Sequence, residues 1–235
     1  MHDTSPIITK NQILNSLPAA DLIRLGPLLK YVDLPRKKVL YHPDEEIDYV
    51  YFPDGAMVSV VAFTEEGDCT EVAVIGSEGA AGLPVVLGSE SSPHEYVIQL
   101  PGSGLRISTK DMRDEFERGG EMQSLTLHFT SKLIVQISQT SLCNRLHTVD
   151  KRLSKWLLMC GDRSEKRVIP LTQELLAIML GTTRTSVTLA ALHLQKKGFI
   201  EYTRGKVKIR DREGLEAYTC ECYSVIRAAY DETEI

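Results

Sequence analysis

The sequence predicts an α+β chain, with a β-roll in the first half, one long helix after it, and a winged helix-turn-helix in the last third. Three observations carry that prediction. Strand-like runs divided by turn residues fill Val39 to Ile107, and eight of the sixteen glycines fall between positions 55 and 104. Apolar residues recur at helical spacing from about Glu121 to His147, with no Gly or Pro between. Two short helical patterns divided by Gly181 then precede an alternating hairpin pattern whose turn carries cations.

The elements follow in order. A helical start is expected over roughly Lys10 to Leu29. The runs DYVYFP, MVSVVAF, TEVAVIG, YVIQL and LRIS read as strands, separated by Asp54-Gly55, Glu66-Gly67-Asp68 and Pro101-Gly102. Ser108 is placed to cap a helix at STKDM, and Gly119-Gly120 breaks the chain before the long helix. There Leu125, Phe129, Leu133 and Ile137 repeat every four residues, and Leu127 and Ile134 stand one heptad apart. A helix of about 26 residues is roughly 39 Å long. Its apolar stripe is too broad for the small domain beside it, so a second copy of the chain is the expected partner, through Leu125, Phe129, Leu133, Ile134 and Ile137. Lys151 to Arg163 forms a further amphipathic helix with Leu153, Trp156, Leu157 and Cys160 on one face. The expected organisation is a roll domain over 1–120, a dimerisation helix and hinge over 121–148, and a winged helix-turn-helix with a C-terminal helix over 149–235.

Composition bounds the function. At 235 residues and 43% apolar content the chain can bury a real core. No apolar run approaches the roughly 18 residues that span a bilayer, and MHDTSPIITKNQ has neither a charged nor an apolar leader region. The expectation is a cytoplasmic protein without membrane contact. Cys69, Cys143, Cys160, Cys220 and Cys222 are scattered and lack CxxC spacing, so reduced thiols, no metal and no cofactor are expected. Cys220 and Cys222, read as i and i+2 of a helix, would point about 200° apart and could not easily bridge. His42, His94 and His147 each read as lone surface or hydrogen-bonded histidines.

Charge is strongly segregated. From Lys166 to Arg210 nine cations (Lys166, Arg167, Arg184, Lys196, Lys197, Arg204, Lys206, Lys208 and Arg210) face only Glu174 and Glu201. Between Val39 and Leu105 there are twelve carboxylates and no Lys or Arg. The first segment suits a polyanion, and the second does not.

The basic segment also carries the motif. In TQELLAIMLGTTRTSVTLAALHLQKK, Thr172 and Thr182 or Thr183 are N-cap candidates. Val187, Ala190, Ala191 and Leu194 make a buried face at i, i+3, i+4 and i+7, which leaves Arg184, Thr185 and Thr188 outside near the helix start. An Arg there can donate two hydrogen bonds to guanine O6 and N7, and Thr can bond base edges or touch a thymine methyl. Helix N-termini can seat phosphates. FIEY and VKI flank the turn Thr203-Arg204-Gly205-Lys206, a wing whose tip carries two cations. The candidate contacts to duplex DNA are therefore Thr172, Thr183, Arg184, Thr185, Ser186, Thr188, Arg204 and Lys206, with no catalytic residues.

Through YVYFPDGAMVSV, NRLHTVDKRLSKWLL and LTQELLAIMLGTTRTSVTLA, the chain resembles the Crp/Fnr family of bacterial regulators over nearly its whole length. The resemblance implies a cyclic-nucleotide-binding-like roll, a homodimer on a near-palindromic operator and, for an activator, contact with RNA polymerase. By position, Arg184 matches the family's lead base-reading Arg and Thr172 its phosphate-contacting Thr. Thr185 stands where the family often has Glu, and Leu189 where it can have Arg, which removes a cytosine acceptor and a guanine donor. The cyclic-nucleotide branch clamps its ligand with a Gly-Glu-Leu-Gly type turn and an Arg beside Ser or Thr. Here the turn is Gly79-Ala80-Ala81-Gly82, without either charged group. Cyclic AMP is therefore not expected as ligand, and any small-molecule effector is unidentified; Lys132 or Arg145 of the long helix are the cations that could still serve a phosphate. The iron-sulfur branch uses clustered cysteines mostly near the N-terminus, and the first sixty-eight residues here have none.

Two other classes fit less well. The sequence has no P-loop, GxSxG or HExxH and no dinucleotide-binding turn, so an enzyme is not expected, although Glu71 and Glu78 near a glycine-rich turn could line a pocket. A cyclic-nucleotide regulatory module acting through protein contacts would need an Arg in the roll and no basic wing. The sequence has the reverse.

Overall fold

The computed structural model describes residues 8–164 and 168–231. The chain forms two compact units, one of residues 1–60 and 74–133 and the other of 61–73 and 134–235. The fold is α+β, as the sequence predicts.

The first unit opens with α1 (Gln12–Asn15) and α2 (Ala19–Leu25). The expected single helix is broken because Pro18 lacks an N–H and instead stands as the cap of α2. Strands β1 (Lys30–Leu34), β2 (Val39–Tyr41), β3 (Tyr49–Asp54), β4 (Met57–Phe63), β5 (Cys69–Ile75), β6 (Glu95–Leu100) and β7 (Gly102–Ser108) follow. They make two sheets, ordered β1-β7-β3 and β2-β6-β4-β5. The five strands expected from the sequence are present, and β1 and β2 are additional. Strand β7 is antiparallel to both neighbours, with Lys30 opposite Arg106 and Tyr49 opposite Ser108. Leu34, Phe52, Ile98, Leu105 and Ile107 form the interior of the roll. Asn11 ties α1 to it, donating to Pro53 O at 3.1 Å and Gly79 O at 2.8 Å while capping Leu14 N–H.

Ser108 caps α3 (Thr109–Glu117), accepting from Asp111 N–H at 3.1 Å as expected. Then comes α4 (Glu121–Leu146). The tip of the Phe129 ring on α4 abuts the turn at Gly79, where a Cβ would meet its Cζ at 2.0 Å, so only glycine fits. On the other side of that turn Tyr41 is buried and its hydroxyl donates to Tyr49 O at 2.7 Å and Ala81 O at 3.0 Å. Burial, followed by the neighbouring Tyr51 and Tyr96, pushes this phenol well above its usual range, so it stays a neutral donor.

The second unit holds the tip of the β4–β5 hairpin, the rest of α4, α5 (Val149–Asp162), β8 (Val168–Pro170), α6 (Gln173–Met179), α7 (Arg184–Lys196), β9 (Ile200–Thr203), β10 (Lys206–Ile209), α8 (Arg212–Tyr218) and α9 (Glu221–Asp231). Helix α5 is its centre. Leu153, Trp156, Leu157 and Cys160 are buried as the amphipathic pattern predicts, against α7 and α8. Glu71 is also buried and accepts from Trp156 Nε1 at 2.6 Å, so this carboxylate is an internal acceptor and not part of a solvated acidic surface. Strands β8, β10 and β9 form a small antiparallel sheet behind the wing. Among the described residues no single helix is long and apolar enough to cross a membrane.

Candidate nucleic-acid interface

Both helices of the motif start on the threonines that the sequence marks as caps. Thr172 accepts from Leu175 N–H at 3.2 Å, and Thr183 accepts from Ser186 N–H at 3.2 Å. Between them the chain turns at Gly181, whose φ of 54° is left-handed, and α7 leaves at 104° to α6. The inner face of α7 is Val187, Ala190, Ala191 and Leu194, all buried. Arg184, Thr185 and Leu189 are exposed.

Two hydrogen bonds fix the wing against the start of α6. Leu171 N–H donates to Gly205 O at 2.7 Å, and Tyr202 hydroxyl donates to Leu171 O at 3.0 Å. Burial, then the Glu174 carboxylate, raises the Tyr202 phenol and keeps it a donor. The wing turn uses Arg204 and Gly205 at φ of 49° and 72°, the conformation a two-residue hairpin needs. As a result Thr172, Arg184 and Arg204, from three separate elements, line one recess of about 380 Å³ together with Gln173, Glu174, Tyr202 and Gly205.

Not every expected contact is free. Arg184 is 67% exposed, but its Nη1 sits 2.9 Å from Glu174 Oε1. Such a surface pair is worth about 0–1 kcal/mol, so it orients the guanidinium without holding it against a better acceptor. Thr188 donates to Gln173 Oε1 at 3.0 Å or to Arg184 O at 2.9 Å, which braces α7 on α6. Ser186 is half-buried and its hydroxyl lies 2.9 Å from that of Thr183. Arg204 and Lys206 are exposed at the wing tip. Of the other cations, Arg210 pairs with Glu201 and the Lys197 ammonium lies 5.1 Å from the centre of the Tyr218 ring, while Lys166 and Arg167 lie outside the described residues. Gln173, Glu174 and Tyr202 are the residues of this recess that sequence reading missed. Only their proximity to the Thr172 cap hinted at them.

On α4 the expected stripe divides. Phe129 is buried within the chain, and Leu125 and Leu133 are half-buried, whereas Ile134 and Ile137 are exposed together with Leu127 and Leu142. A step of four residues advances about 40° around a helix, so Leu125 to Ile137 drifts from the inner face to the outer one.

The histidines also divide. His42 Nδ1 lies 3.4 Å from Glu95, and His94 Nδ1 lies 3.4 Å from Ser92 Oγ. His147, by contrast, joins Cys143, Cys220 and Cys222 in a group with metal-ligand chemistry.

The chain thus combines a β-roll, a long helix and a winged helix-turn-helix. Residues 151–218 match the Crp-like helix-turn-helix domain family, so this part of the chain is a helix-turn-helix domain of that family. Among solved structures, FixK2 from Bradyrhizobium japonicum is similar at a TM-score of 0.69 and 16% identity, covering 82% of this chain and 98% of that one. A putative regulator of the Crp/Fnr family from Eubacterium rectale is similar at 0.70 and 15%, covering 88% and 97%. The c-di-GMP responsive regulator CLP of Xanthomonas campestris is similar at 0.65 and 14%, covering 82% and 99%. At these identities the likeness is one of fold. No curated protein matches the sequence.

Proposed function

We propose that the chain is a cytoplasmic homodimer that reads a near-palindromic duplex operator, with α7 in the major groove and the wing on the backbone. The observation that carries this reading is the recess where Thr172, Arg184 and Arg204 converge at the exposed start of α7. Arg184 and Thr185 contact base edges, and Thr172, Thr183, Ser186, Arg204 and Lys206 serve phosphates. Thr188, tied to Gln173, sets the angle of the reading helix more than it reads.

The dimer forms through the exposed face of α4, on Leu127, Ile134, Ile137 and Leu142, flanked by Leu125 and Leu133. Phe129 faces inward, so it supports the seam only by fixing the helix on the roll. Two copies so joined set their reading helices in successive major grooves, roughly 34 Å apart. A signal in the roll alters the junction from His147 to Lys151 and re-aims the heads. For an activator the further partner is RNA polymerase. The reading assigns no catalysis.

The effector is not cyclic AMP. Supporting this, the Gly79–Gly82 turn carries no carboxylate or cation, and the space on its two sides holds Phe129 and Tyr41. Calorimetry with cyclic AMP is expected to show no binding at micromolar concentrations, and a micromolar affinity would reverse this part of the reading. The whole proposal is tested by selecting bound duplexes from a random pool. Enrichment of an inverted repeat supports it, and a uniform pool refutes it.

A further inference from the structure

Four side chains of metal-ligand type converge within the second unit. Cys143 lies in the last turns of α4 and His147 one turn later, and the bond from His147 N–H to Cys143 O at 3.1 Å keeps them on one face. Cys220 stands just before α9 and Cys222 lies in its first turn. Their ligand atoms all fall within 4.8 Å of one another. The Cys143 and Cys220 sulfurs are 3.6 Å apart, and Cys222 Sγ is 3.6 Å from His147 Nδ1. All three cysteines are buried free thiols. We propose that Cys143, His147, Cys220 and Cys222 form a tetrahedral site for a thiophilic divalent cation, Zn(II) foremost.

The geometry and chemistry agree on this assignment. A zinc–sulfur bond of about 2.3 Å implies about 3.8 Å between ligand sulfurs at the corners of a tetrahedron. The observed spacing is close to that. An iron-sulfur cluster would set iron and sulfide between the thiolates and hold them farther apart. Three soft sulfurs and one imidazole select zinc over magnesium or calcium. The outer partners fit as well. His147 Nε2 lies 3.4 Å from Glu221 Oε1, which leaves Nδ1 to face the cation, the usual carboxylate–histidine arrangement. Three thiolates with a dication carry one net negative charge, and Lys155, buried on α5, attracts both Cys143 and Cys222. A helical i, i+2 pair could not meet one ion, but Cys220 lies outside α9, so its sulfur is free to turn toward that of Cys143. The bound cation joins the end of α4 to the start of α9 across 77 residues of chain, and its binding free energy adds to the stability of the folded unit.

The site is independent of the DNA-binding reading, and its test involves no DNA. The full-length chain is purified under reducing conditions, stripped with a chelator and titrated with Co(II), then with Zn(II). One Co(II) per chain is expected, with thiolate charge-transfer bands and the intense visible bands of four-coordination, both lost when Zn(II) displaces it. Cys222→Ser and the milder His147→Gln are each expected to weaken Zn(II) binding at least tenfold, while Cys69→Ser leaves it unchanged. Zinc should raise the Tm of the wild-type chain. Weak octahedral Co(II) bands alone, an iron-sulfur chromophore, or a Cys143–Cys220 disulfide formed in preference to metal binding would each overturn the assignment.

Discussion

Arg184 and Glu174 face each other across the turn of the motif at 2.9 Å, and that single pair decides how the reading residue waits for its target. Arg184→Ala is expected to cost about 1–3 kcal/mol of operator affinity and to relax specificity at one base pair, measured by equilibrium titration of single-base variants. Glu174→Gln frees the guanidinium and removes a negative charge beside the phosphates, so binding should tighten up to about fivefold on all sequences. Lys206→Ala acts differently: it should weaken every duplex alike and reduce the slope of log affinity against log salt by about one. At this scale the sequence was legible where helical periodicity rules. Val187, Ala190, Ala191 and Leu194 are buried because a 3.6-residue period puts them on one side. The partners of Arg184 and Thr188 were not legible, since both lie on α6 and meet α7 only through the angle of the turn.

Helix α4 is legible in the sequence as an element, whereas the division of its apolar residues between inner and outer faces is not. The i, i+4 series Leu125, Phe129, Leu133, Ile137 is a spiral, whereas the heptad pair Leu127 and Ile134 is exposed together with Ile137 and Leu142. Ile134→Glu is therefore expected to yield a folded monomer in sedimentation equilibrium, with a circular dichroism spectrum like the parent's. Phe129→Ala should leave the oligomeric state unchanged but lower unfolding stability by about 3–5 kcal/mol, because the ring is enclosed against Gly79. Short elements escaped the sequence for a different reason. Strand β2 has three residues and β1 is paired on one side only, so neither needs a long alternating pattern. The cysteine cluster is not legible in the sequence because its two halves are 77 residues apart, and because Cys220 lies outside the helix that holds Cys222.

Across the whole molecule, charge is the property most visible in sequence and most used by the fold. The acidic span builds the roll, with Glu71 turned inward to Trp156, and the basic span builds the reading helix and the wing. Some cations of that span are engaged within the unit, Arg210 with Glu201 and Lys197 near the Tyr218 ring. In the proposed function, the exposed Arg204 and Lys206 at the wing and Arg184 at the helix start are the face offered to a polyanion. The most direct test is the affinity of the Arg184→Ala, Lys206→Ala double variant for the inverted repeat selected by the parent protein. A fall of at least a hundredfold, with folding and oligomeric state preserved, is the expected result. An affinity equal to the parent's would contradict the assignment of α7 and the wing as the reading head.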